Sequence, residues 1–135
     1  MPNKPIRDVA AVVIQDEAGR VLLLQRGATA PTFPNCWGLV TGMVEPGETP
    51  AQTALREIAE ELGVQGRILR TGDPFEVDIG PYIVRAWPFL CAIDAPDAIR
   101  LQDENQRCEW VPLPEVFQRE TIPQIEQDFR ALGLL

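Results

Sequence analysis

The segment Gly42–Val64, GMVEPGETPAQTALREIAEELGV, decides how the rest of the chain is read. Pro46-Gly47 marks a turn. Thr49 followed by Pro50 pairs an N-cap with proline at the first helical position. The spacing predicts a helix from there to about Leu62, closed by Gly63 as a C-terminal glycine. Ala51, Leu55, Ile58 and Leu62 recur at helical spacing and are expected to be its buried face. Glu57, Glu60 and Glu61 fall within one stripe, expected opposite Leu55, Ile58 and Leu62. Neighbours at that spacing lie roughly 5–6 Å apart, so the three carboxylates repel one another and folding does not need them together. A hard divalent cation does need them. Mg²⁺ takes oxygen ligands and binds through a few carboxylates plus substrate phosphates. Gly42 and Gly47 let backbone approach a ligand closely. Arg56 is the one cation beside the acidic stripe and is placed to pair with Glu48. Three glutamates alone would favour a solvated helix face.

Around this segment the pattern is mostly strand. Ile6–Ile14 and Val21–Leu24 are rich in Val, Ile and Leu, and the turn signal Asp16–Gly19 between them predicts a hairpin. Residues 27–35 form a loop with Pro31 and Pro34. Residues 37–44 read as one strand, interrupted by Gly38 and Gly42. Residues 68–79 and 82–93 read as two further strands, and 107–111 as a short last one. Ile122, Ile125, Phe129 and Leu132 mark a terminal helix, with Thr121 and Gln124 resembling a capping box. Strands joined mostly without crossover helices predict an α+β fold, a mixed sheet packed by helices. One domain over residues 1–135 is expected, with no repeats or linkers.

Composition narrows the chemistry. Lys and Arg number 12, Asp and Glu 20, for a net charge of −8. A field of that sign repels a nucleic-acid polymer, and a small phosphorylated substrate would need local neutralisation by metal. Histidine is absent, which removes imidazole bases, imidazole metal sites and Ser–His or Cys–His nucleophile pairs. Cys36, Cys91 and Cys108 are scattered and fit reduced thiols better than a disulfide framework or a zinc site. The apolar run Val9–Ile14 is too short to span a bilayer and has no basic flank of a secretory signal, so a cytoplasmic protein without membrane attachment is the expectation.

Gly42, five residues, Glu48, seven residues, then Arg56-Glu57-Ile58-x-Glu60-Glu61-x-Gly63-Val64 fills every defined position of the Nudix box, G-x5-E-x7-R-E-U-x-E-E-x-G-U. The chain is therefore identified as resembling the Nudix hydrolases. The strand before Arg26, Trp37 five residues before Gly42, and Glu104 six residues before Trp110-Val111 are also similar to that family. The resemblance implies a mixed sheet sandwiched between helices (α/β/α) and hydrolysis of a diphosphate linkage in a small nucleotide-like substrate. Many family members begin the box with Gly-Gly, whereas here it reads Thr41-Gly42. The pattern Trp37-x-x-Val40-Thr41-Gly42 resembles the branch that acts on dihydroneopterin triphosphate and dATP.

Position by position, the resemblance makes Glu57, Glu60 and Glu61 the ligands of Mg²⁺ or Mn²⁺, joined by a backbone carbonyl at Thr41 or Gly42. Arg56 and Glu48 become the pair that fixes the loop. Glu60 is favoured as a metal ligand and Glu104 as general base or accessory ligand, with Asp103 and Glu109 as its neighbours. Arg26 is a candidate for a substrate phosphate and Phe33 for stacking on a base, while Trp37, Trp87 and Trp110 suit core packing. Dimers are common in the family, which makes a homodimer an expectation. The rival reading is a catalytically silent Nudix-like domain that senses a nucleotide or binds a partner, against which the intact acidic set argues.

Overall fold

The computed structural model describes residues 3–135, so the first two residues of the expected domain lie outside the described residues. The elements run β1 (Ile6–Ile14), β2 (Val21–Arg26), β3 (Trp37–Gly38), β4 (Val40–Met43), α1 (Pro50–Leu62), β5 (Gly66–Thr71), β6 (Phe75–Asp78), β7 (Ile83–Ile93), β8 (Asn105–Val111) and α2 (Ile125–Ala131). The larger sheet is mixed, ordered β4-β1-β7-β5, with β6 also on β7. Its β1–β7 pair is parallel, and the rest are antiparallel. The smaller sheet is antiparallel, β3-β2-β8.

Alternation along β1 and β2 explains how both sheets are clad. Ala10, Val12, Ile14, Leu22 and Leu24 enter one core with Ala54, Ile58 and Leu62 of α1. Val13, Val21 and Leu23 enter the other with Ile125 and Phe129 of α2. The larger sheet is thus covered by a helix on each face, the expected α/β/α layering. Strands buried on both faces read as unbroken apolar runs rather than alternating ones.

That same burial corrects the hairpin expectation. Beyond a single Gln15–Val21 bridge, β1 and β2 do not pair. They enter different sheets, and the Asp16–Arg20 turn carries the chain between them. The predicted strand 37–44 is likewise two strands, β3 on β2 and β4 on β1, with buried Leu39 at the crossing. The predicted strand 68–79 is β5 and β6, parted at Gly72, where a Cβ would lie 2.5 Å from the Ala131 carbonyl oxygen of α2. The terminal helix forms from Ile125, but Gln124 at its N-cap makes no side-chain capping bond, so the Thr121–Gln124 box does not form. Trp37 is core, whereas Trp87 and Trp110 are half-buried at its margin. No helix among the described residues is long and apolar enough to cross a membrane.

On α2, Asp128 is 3% exposed and its Oδ1 has no hydrogen-bond partner. Burial pushes this carboxyl up to about 7. The folded chain therefore holds a proton there that the unfolded chain releases near the ordinary carboxylate value, and stability falls as pH rises toward about 7. In urea unfolding across pH, Asp128→Asn should be more stable than wild type near pH ~8, with the gap closing toward pH ~4. A gap that does not change with pH would show that Asp128 ionises without penalty.

Candidate active site

The site begins with the loop that joins β4 to α1. Thr49 caps the helix in a reciprocal box with Gln52, Pro50 opens it, and Gly63 closes it at φ 69°. The Arg56 guanidinium reaches back to the loop. Its Nε donates to Glu48 Oε2 at 2.8 Å, and its Nη2 donates to Glu48 Oε1 at 3.0 Å and to the Met43 carbonyl at 3.1 Å. Thr53 Oγ1 donates to Glu48 Oε1 at 2.6 Å. Arg56 and Thr53 together hold the Glu48 carboxyl down to about 2, so it stays ionised. Arg56 Nη1 also donates to Glu57 at 2.8 Å and Glu60 at 3.1 Å.

The acidic stripe does not lie opposite the core as expected. The buried residues of α1 are Thr53, Ala54, Ile58, Glu61 and Leu62, while Leu55 is 38% exposed. Glu61 is 8% exposed and its Oε2 has no hydrogen-bond partner. Burial, then the charges of Glu57 and Glu104, push its carboxyl up to about 9. Burial also raises Glu57, against the pull of Arg56. Glu60 stands apart, its side chain 58% exposed and turned to Arg56. Among the described residues no three carboxylates converge on one point.

Two features make room for this crowding. Glu57 lies over Gly42, where a Cβ would fall 2.2 Å from its carboxyl carbon. Strand β4 is also a sheet edge. Val44 N–H bonds the Asp8 carbonyl, so the alternate pair Ala10–Gly42 is the hydrogen-bonded kind, and Thr41 and Met43 turn their backbone groups outward. Met43 spends its carbonyl on Arg56; Thr41 lies beside Glu61. A buried, unpartnered carboxylate oxygen among oxygen donors, with no cation of its own, fits a hard divalent ion.

A cleft of about 480 Å³ opens beside this cluster. Glu61, Thr41, Asp103 and Glu104 line its acidic end, and Leu24, Gly38, Leu39 and Ile122 form an apolar floor. Glu104 thus shares the cleft with Glu61, and Asp103 stands with it, while Glu109 turns away to pair with Arg119 at 2.7 Å. Arg26 lines the cleft but is engaged, donating to the Thr32 carbonyl at 2.8 Å and to Thr32 Oγ1 at 3.1 Å. Phe33 is 47% exposed on the neighbouring loop and is not part of the lining, which departs from the stacking role expected of it. Thr53 was missed in the sequence. Its signal was a threonine inside a helix, four residues after Thr49, where such side chains bond locally.

A family model described as NUDIX domain matches residues 5–132. An uncharacterised Nudix hydrolase of Pseudomonas aeruginosa is 30% identical over 91% of this chain and 73% of its own length. An octanoyltransferase of Myxococcus xanthus is 31% identical over 85% of this chain, but the match spans only 33% of that protein. The dihydroneopterin triphosphate diphosphatase of Haemophilus influenzae is 40% identical over a shorter stretch, 46% of this chain and 37% of that protein. Among solved structures, the MutT protein of Methanosarcina mazei aligns with a TM-score of 0.80 at 27% identity, covering 96% of this chain and 93% of that one.

The contact at Gly42 is directly testable. Gly42→Ala adds a methyl where the Glu57 carboxyl now lies, and a flexible side chain can move aside without unfolding the chain. Misplacing a catalytic group by about 1 Å can cost on the order of 10²-fold. If Glu57 belongs to the reacting site, hydrolysis of a diphosphate substrate by Gly42→Ala should fall by about that factor, with a circular-dichroism melt close to wild type. Undiminished turnover would mean that the position of Glu57 does not matter.

Proposed function

Because the chain belongs to the NUDIX domain family, we propose that it is a divalent-metal-dependent hydrolase that cuts a diphosphate linkage in a small nucleotide-like substrate. The observation that carries this reading is Glu61, buried beside Glu57 at the acidic end of the cleft with one oxygen unpartnered. A structural carboxylate would be expected to find a donor, because an unpaired buried charge is costly.

In this reading Glu57 and Glu61 would hold Mg²⁺ or Mn²⁺, joined by the outward Thr41 carbonyl, with Glu60 as an accessory ligand at the exposed rim. Such an ion would neutralise the diphosphate and make water a better nucleophile. Glu104 accepts the proton of the attacking water at a carboxylate oxygen. The water oxygen bonds to phosphorus as the phosphoric anhydride bond breaks, and the leaving phosphate departs with that bond's electron pair. Arg56 and Glu48 keep the loop against α1, so that Gly42 and Glu57 stay in register. The cleft favours a substrate whose phosphates meet the acidic end and whose organic part lies on Leu24, Leu39 and Ile122. The Trp37-x-x-Val40-Thr41-Gly42 pattern, together with likeness to a dihydroneopterin triphosphate diphosphatase, supports a nucleoside or pterin triphosphate, cut between the α and β phosphates to release pyrophosphate.

Release of phosphate or pyrophosphate should be measured over triphosphates, ADP-ribose and dinucleoside polyphosphates. Turnover should vanish in EDTA and return with Mg²⁺ or Mn²⁺, and a triphosphate should have the highest kcat/KM. In the same assay Glu104→Gln should lose about 10²–10⁴-fold in kcat together with the acidic limb of the pH profile. Turnover that persists in chelator would sink the metal mechanism. A better rate on ADP-ribose or a dinucleoside polyphosphate would sink the triphosphate assignment alone.

A further inference from the structure

The loop after β2 contributes Thr29, Ala30 and Pro31 to the lining of the cleft that also holds Glu104. This loop is conformationally loaded. Phe33 and Asn35 both take positive φ, 47° and 63°, a region that a side chain as bulky as phenylalanine rarely adopts. Within the loop Ala30 N–H bonds the Gly27 carbonyl at 3.2 Å, Asn35 N–H bonds the same carbonyl at 3.3 Å and Cys36 N–H bonds the Phe33 carbonyl at 3.2 Å. Strand β2 braces the loop through the Arg26 side chain on Thr32, the Arg26 N–H on the Cys36 carbonyl at 2.9 Å and Gln25 Nε2 on the Asn35 carbonyl at 3.1 Å, and a further hold comes from outside the β2–β3 connection.

Strand β8 supplies it through an irregularity. Gln25 pairs with Arg107 and Arg26 with Asn105, so the register shifts and Gln106 is left without a partner of its own in the ladder. Bulges of this kind re-aim a side chain. Here the Gln106 amide nitrogen donates twice, to the Arg26 carbonyl at 2.8 Å and to Asn35 Oδ1 at 2.6 Å. Gln106 thus adds a second tie between the two ends of the loop, beside the bond from Arg26 N–H to the Cys36 carbonyl. The stretch before β8 also meets the loop directly, because Gly27 N–H bonds the Glu104 carbonyl at 3.0 Å.

We propose that Gln106 is a positioning residue that fixes the width of the substrate cleft and so selects among substrates, by clasping the loop at Arg26 and Asn35 from the β8 bulge. It touches no reacting atom and acts through the wall at Thr29–Pro31. The substrate part of this inference rests on the hydrolase reading above; the clasp itself does not.

The test pairs hydrogen exchange with kinetics on the full chain. Gln106→Leu keeps the bulk and removes both donors. Amides of residues 27–36 should then exchange faster, KM for the preferred triphosphate should rise by about 3- to 10-fold, and kcat should hold within about twofold, as expected when one or two neutral hydrogen bonds are lost. The spread of kcat/KM across the substrate panel should narrow. Asn35→Gly, which removes the acceptor but suits the positive φ, should loosen the same amides, and adding Gln106→Leu to it should cost less than Gln106→Leu alone. If Gln106→Leu does not fold, Asn35→Gly carries the same expectation. Unchanged exchange in residues 27–36 overturns the clasp, and faster exchange with unchanged KM and unchanged selectivity overturns its role in substrate choice. A wild type that hydrolyses nothing in the panel defeats the hydrolase reading and the substrate role with it, while the exchange comparison still decides the clasp.

Discussion

A single guanidinium holds the site together. Arg56 reaches from α1 to Glu48 by two hydrogen bonds, to the Met43 carbonyl on the sheet edge, and to Glu57 and Glu60 on its own helix. Loop, strand and helix are thereby fixed to one rigid plane, which is what a fork of fixed donors does and a lysine would not. The pull of these carboxylates holds Arg56 well above its ordinary value, so it keeps its charge. Its positive charge is also finite. Glu48 claims the largest share, Glu57 and Glu60 share one nitrogen, and Glu61, one turn further along, receives none.

The consequence is a local charge imbalance in a chain whose net charge is already −8. Glu61 answers it by taking up a proton, pushed to about 9 by burial and by Glu57 and Glu104. A divalent ion would answer it differently, displacing that proton and serving several oxygens at once. The edge position of β4 and the missing side chain at Gly42 leave the space and the free backbone oxygen for that second answer. The geometry is therefore a compromise in which local stability is given up beside the cleft and recovered in two cores of fully buried aliphatic side chains.

The box was legible because its roles depend on residue type at fixed spacing: the Thr49 cap, the Gly63 cap and the Arg56–Glu48 pair all stand where the sequence put them. What the sequence concealed follows from burial. Helical counting assigned Leu55 inward and Glu61 outward, because the rule treats every carboxylate as solvated; the site inverts that rule. The hairpin of β1 and β2 was misread because both strands are apolar on both faces, so no alternation reports which sheet each joins. Gln106 was invisible for a different reason. A glutamine in a strand is unremarkable until the register slip beside Arg26 frees its amide. Phe33, a stacking candidate by residue type, lies off the lining of the cleft, and residue type does not disclose the positive φ of its backbone.

If the Glu57–Glu61 pair is kept for a divalent cation rather than for the fold, metal should stabilise the folded chain through it. Thermal unfolding with and without millimolar Mg²⁺ or Mn²⁺, compared between wild type and Glu61→Gln, tests it most directly. Metal should raise the Tm of wild type, Glu61→Gln without metal should be at least as stable as metal-free wild type because a buried carboxyl has been relieved, and the variant should gain little or nothing from metal. A wild type indifferent to metal, or a variant that responds to it as fully as wild type, would show that the pair does not serve a cation.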